Sequence, residues 1–172
     1  PIYTGGRLDA LVAAARKESD ATNDDIDAVS ADLRLEVTRS FWNLVVTDES
    51  ARVLDESLER MAAHLRDVRN QHNAGLVPPS DVFSVEAQAS RQRMLSIQAR
   101  STRESAEAEL ARLIGADPGT AIQPNAVLTP VGLDATFESL LARARDQRKD
   151  RQALIDRLAG AELRQQAAAA RL

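Results

Sequence analysis

HNAGLVPPSDVFSV, residues 72–85, is the stretch on which the fold turns. It places one glycine, two adjacent prolines and a Ser-Asp pair inside a chain that otherwise carries helical spacing on both sides. Gly75 can take the left-handed backbone that ends a helix. Pro78 and Pro79 cannot continue the helix, and Ser80 or Asp81 can cap a new one. Leu76 and Val77 are expected to close the turn by apolar contact. The stretch therefore predicts a helical hairpin, with Gly75 to Ser80 as its tip.

Upstream, no glycine or proline interrupts residues 8 to 73. Between 40 and 72 the positions Leu44, Thr47, Ala51, Leu54, Leu58, Met61, Leu65 and Val68 step alternately by three and four, which is a heptad seam. One helix of this length would extend roughly 100 Å. A shorter second stripe runs along Leu35, Trp42, Val46 and Val53.

Downstream, a return helix is predicted over 81–114, stopped by Gly115. It carries two seams. Val85, Ala89, Gln92, Ser96, Ala99, Arg103, Ala106 and Leu110 form the first; Phe83, Ala87, Ser90, Met94, Ile97, Ser101 and Ala108 form the second. Two seams imply neighbours on two sides, as for a stave in a barrel wall. If the chain reverses at the tip, facing residues have numbers that sum to about 154 in an αα-hairpin.

Residues 115–133 read as an irregular segment, with a short extended piece expected at 126–129. Helices are expected over 134–147, capped by Asp134, and over 150–172, capped by Asp150. These two are the available partners for residues 8–40. The fold class is therefore all-α, a long antiparallel hairpin of coiled-coil type with an irregular middle segment and further C-terminal helices.

Composition agrees. The chain has 172 residues, 44% hydrophobic but only 3% aromatic, which suits thin helical layers better than a thick core. Length alone suggests one domain. The net charge is −4 with both signs interspersed, so no basic stripe points to nucleic acid. An acidic stretch, Glu18 to Glu36, and a mainly basic one, Arg143 to Arg151, read as solvated helix faces. There is no cysteine, hence no disulfide or thiolate chemistry. His64 and His72 lie eight apart, outside the i, i+4 spacing that shares a metal. No phosphate loop, catalytic triad or calcium loop appears, so neither an enzyme nor a cofactor is expected. Phe41 and Trp42 read as packing residues beside the irregular segment.

Taken in order, PIYTGGR (1–7), NAGLVPPSDVFSVEAQ (73–88), AEAELARLIG (106–115) and ARARDQRKDRQALIDRLAGAELRQQAAAARL (142–172) resemble the TolC family of outer-membrane efflux ducts over essentially the whole chain. One departure is Arg148-Lys149-Asp150, which stands where the family usually has Arg-Pro-Asp or Arg-Pro-Glu. The resemblance implies one periplasmic repeat of a trimeric duct found in Gram-negative bacteria, without the membrane-crossing strands. It implies a channel of a tripartite efflux or type I secretion system, located at the outer membrane with this segment in the periplasm. The implied partners are a periplasmic adaptor (membrane fusion) protein and, indirectly, an inner-membrane pump. By the same resemblance Gly75, Leu76, Val77, Ser80 and Asp81 form the adaptor-docking tip. The family's constricting acidic residues lie in a second repeat, so no gate residue is assigned here. Heptads alone would equally suit a soluble coiled-coil scaffold or dimerisation module, but that reading leaves PIYTGGR, the 115–133 segment and the double seam unexplained.

Overall fold

The computed structural model describes residues 5–117, 119–125, 132 and 135–170. It contains four helices: α1 (Arg7–Asn73), α2 (Pro79–Ile114), α3 (Phe137–Gln147) and α4 (Lys149–Ala169). Among the described residues there is no strand. The all-α hairpin architecture predicted by the heptads is the one observed. The expected extended piece at 126–129 and the cap at Asp134 lie outside the described residues. The chain divides into two compact units, Pro1–Arg34 with Thr129–Leu172, and Leu35–Leu128.

In the second unit, α1 from residue 35 onward runs antiparallel to α2. The pairing follows the predicted register: Asp48 bonds Arg103, Asp55 bonds Arg100 and Arg69 bonds Glu86. Every seam position from Leu44 to Val68 is buried or half-buried, as is the first seam of α2. Two apolar clusters hold the ends of this interface. Leu44, Ala106 and Leu110 form one, with Val37, Phe41 and Ile122 packed on it. Val68, Val82 and Val85 form the other, with Met61, Leu65 and Val77.

Between the clusters the contact is small and polar. Ala51 and Ser96 are buried, and the Ser96 hydroxyl donates to Asp55 Oδ1 at 2.6 Å. Arg100, and after it Ser96, hold the Asp55 carboxyl below its ordinary range, so it stays charged at neutral pH. Small side chains let the two backbones approach, and the charge is satisfied across the seam rather than left buried alone.

The irregular segment after Gly115 is tied back to this unit at Ile122. Ile122 packs on the Leu44 cluster while its N–H donates to Glu107 Oε1 at 2.7 Å. Phe41 shares that cluster and meets Trp42 edge to face, with ring centroids 5.5 Å apart. Trp42 itself lies at the surface, so of the two aromatics only Phe41 belongs to the packed cluster.

In the first unit, α4 lies antiparallel to the start of α1. Among the described residues its buried apolar side chains are all alanines: Ala14 and Ala21 on α1, Ala153 and Ala167 on α4. Gly160 faces α1 closely, yet a Cβ there would stand in ordinary contact, 3.5 Å from the Ala14 carbonyl oxygen and from Lys17 Cβ, so an alanine would also fit. Register comes from charge. Lys17 bonds Asp156 at 2.9 Å, Lys149 bonds Asp24 at 2.8 Å, Arg164 bonds Glu18 at 2.8 Å, and Arg157 pairs with Asp25. The acidic stretch that reads in sequence as a solvated face is therefore the surface that receives α4. Its partners, Lys149, Arg157 and Arg164, sit about two turns apart along the opposing helix, which single-helix periodicity does not reveal.

Helix starts differ from expectation by a few residues, for identifiable reasons. α2 begins at Pro79, because a proline at the first helical position loses no intrahelical bond and its φ is preset. Thr136 caps α3 by accepting the Ser139 N–H. α4 begins at Lys149 after a one-residue break at Arg148, which has extended ψ of 100°. Arg148 reaches forward to Asp150, so the Asp150 carboxylate pairs with a guanidinium instead of capping the helix.

Candidate functional site

The hairpin tip is built by two devices. The first closes α1. Gly75 has φ +78°, the Leu76 N–H donates to the Gln71 carbonyl at 2.9 Å and the Gly75 N–H to the His72 carbonyl at 2.8 Å. This pair of bonds is the Schellman arrangement, which satisfies carbonyls that the helix end would leave open. The same arrangement closes α2 at Gly115, φ +69°.

The second device opens α2. Pro78 has extended backbone (φ −74°, ψ 159°) and stands as the N-cap with no side-chain cap bond. Ser80 and Asp81, expected as alternative caps, instead occupy the first turn, with the Ser80 hydroxyl donating to Asp81 Oδ1 at 3.2 Å. Proline at the first position removes an N–H that a cap would otherwise have to satisfy. Asp81 remains favourable there because a carboxylate in the first turn meets the positive end of the helix dipole.

A Cβ at Gly75 would meet nothing within 4 Å, so an alanine there would suffer from backbone conformation alone. We expect Gly75→Ala to destabilise the hairpin by about 1 kcal/mol in urea-induced unfolding, the cost of holding an L-residue in the left-handed region. A neutral or stabilising result would show that the turn does not require that conformation.

Leu76 and Val77 part company in the structure. Val77 is half-buried and joins the Val68–Val82–Val85 cluster, so it closes the tip as the sequence predicts. Leu76 does not: it stands 75% exposed. The Schellman turn points it away from the cluster, because the left-handed Gly75 reverses the chain just before it. Gly75, Ser80 and Asp81 are exposed as well. The five predicted residues therefore gather on one short turn, four of them accessible and one anchoring the rest.

His72, which the sequence reading places on the α1 seam or surface, also takes part in the tip. His72, half-buried in the last turn of α1, has Nδ1 3.0 Å from the Val77 carbonyl oxygen. Consecutive prolines supply the clue, since neither can offer an N–H to a nearby carbonyl. Above the tip, Arg69 and Glu86 bond across the seam at 2.6 Å.

The outer faces of this unit carry exposed apolar side chains. On α2 these are Phe83, Met94 and Ile97, each about three-fifths exposed or more. They belong to the second seam, whose members are all exposed. On α1 the matching stripe is Leu35, Trp42, Val46 and Val53. No helix among the described residues is long and apolar enough to cross a membrane. Nor do any three His, Cys, Asp or Glu side chains among them gather as a metal site.

The family described as outer membrane efflux protein matches residues 1–116, two thirds of the chain. No match was found among curated proteins, nor among solved structures. The matched span takes in α1, the tip and all of α2, the elements whose order carries the resemblance. Proteins of this family are channel components of the outer membrane and act in transport rather than in bond chemistry. A hairpin with an anchored tip and uncovered second seams, matched over both its helices, belongs to the outer membrane efflux protein family, the TolC-like proteins.

Proposed function

We propose that this chain forms a stretch of the periplasmic helical wall of an export duct, and that its tip docks a periplasmic adaptor protein. The observation that carries the docking reading is Leu76. It is a large apolar side chain, 75% exposed, on a turn whose backbone is fixed by the Schellman bonds and by the anchored Val77. An exposed leucine on a mobile loop would mean little, but one on an ordered turn costs little entropy to bury.

Gly75 allows close approach of a partner backbone, and Ser80 and Asp81 offer polar groups beside the leucine. The exposed second seams support the wall reading, because each has the spacing of a helix–helix contact and its residues are exposed among the described residues. In the assembled duct they would be covered by neighbouring helices of a trimer. The adaptor in turn connects the duct to an inner-membrane pump.

The test is direct binding. The purified helical hairpin of a periplasmic adaptor from a tripartite efflux system is immobilised, and the chain is passed over it. Saturable binding that Leu76→Ser weakens is the expected result. Equal binding by wild type and variant would remove the tip from the interface.

A further inference from the structure

The geometry points to His72 as the positioning residue of the tip: its Nδ1–H holds the Val77 carbonyl, and so fixes which of the two apolar tip residues is buried and which is presented. This rests on the docking reading above for its functional consequence, and on bond geometry alone for its existence.

Three observations converge. The Val77 carbonyl precedes Pro78 and Pro79, which have no N–H; the N–H groups of Gly75, Leu76 and Asp81 go to His72, Gln71 and Pro78, and the Ser80 N–H makes no bond to it. Val77 is half-buried, so its carbonyl is poorly placed to rely on water. His72 Nδ1 stands 3.0 Å away and fills that need from a helix that ends one residue later.

A carbonyl oxygen can only accept, so the imidazole nitrogen facing it must carry the proton. The neutral ring is thereby held as the Nδ1–H form with Nε2 unprotonated. The bond spans the turn from the last residues of α1 to the residue before Pro78. It keeps the Val77 side chain against Val68, Val82 and Val85, and the backbone turn then leaves Leu76 outside.

Two measurements on the 172-residue chain test this. Nitrogen-15 correlation spectra read the tautomer of neutral His72, with Nδ1–H expected; Nε2–H would overturn the assignment. His72→Leu removes the donor, whereas His72→Asn places an amide nitrogen where Nδ1 stood. We expect nuclear Overhauser contacts from Val77 to Val68 and Val82 to be lost in His72→Leu and kept in His72→Asn. Their survival in His72→Leu would also overturn the proposal.

Binding to the immobilised adaptor hairpin then reads the consequence. His72→Leu should bind about fivefold more weakly, the equivalent of one hydrogen bond, and His72→Asn close to wild type. If Leu76→Ser weakens binding and His72→Leu does not, the positioning role is overturned. If neither substitution weakens binding while the tautomer and contacts are as expected, the latch stands and the docking reading falls.

Discussion

Leu44→Ala is expected to destabilise the protein by about 2–5 kcal/mol, the largest stability loss of any single side-chain truncation in the hairpin. Leu44 has no exposed surface and, with Ser96, is one of only two of the larger buried side chains in the described structure to be wholly enclosed. Around it stand Ala106, Leu110, Phe41 and Ile122. Two helices in contact form a thin layer, and Ala51, Ser96, Ala106 and Ala111 take four of its nine buried positions among the described residues, so the apolar area removed from water is concentrated at a few leucines and valines. Truncating Leu44 removes one of these and leaves a void opposite Ala106, whose single methyl cannot reach into it. The helices cannot simply close up, because Asp48–Arg103 and Asp55–Ser96 fix their separation about one and three turns away. Urea unfolding followed by circular dichroism measures the effect. A loss below about 1 kcal/mol would mean that the seam collapses freely and that Leu44 is not its anchor.

The second large effect concerns binding and leaves the fold alone. Leu76→Ser should weaken adaptor binding roughly 10- to 100-fold, since burying one leucine is worth about 1.5–3 kcal/mol. Folding stability should barely change, because the side chain is already 75% exposed and belongs to neither apolar cluster. Val77→Ser gives the opposite pattern. It removes a member of the Val68–Val82–Val85 packing, so thermal stability should fall together with binding. The contrast separates presentation from anchoring. Were both variants to lose stability equally, Leu76 would be part of the core in solution and could not serve as the presented residue.

Much of this could be read from the sequence, because the fold depends on two signals that are local. Helix periodicity placed α1 from residue 8 to 73, within one residue of its observed start, and glycine with proline placed the reversal. Once the reversal is known, register follows by counting, and Asp48 with Arg103 falls into place. What periodicity did not show is which charges are paired. The carboxylates between Glu18 and Asp27 look like a solvent face until α4 is laid on them, and the residues that bind them lie more than a hundred positions away. The helix starts were misplaced by the same locality. Ser80 and Asp150 have the chemistry of caps, but Pro79 and the Arg148–Asp150 pair settle those termini by other means.

The tip was legible in outline and not in detail. Five residues were singled out by spacing and resemblance, and they do share one turn. Sequence could not say that Val77 turns inward and Leu76 outward, since both are apolar and adjacent. Nor did it single out His72, whose role depends on a carbonyl that two prolines leave without a donor.

The central claim is that this tip meets an adaptor, and site-specific photocrosslinking in cells tests it most directly. A benzophenone amino acid at position 76 is expected to give a conjugate whose second component, identified by mass spectrometry, is a periplasmic adaptor. The same probe at His64, exposed on α1 away from the tip, should give none. An adaptor conjugate from position 64 but not from 76, or from neither while the duct still exports, would contradict the account.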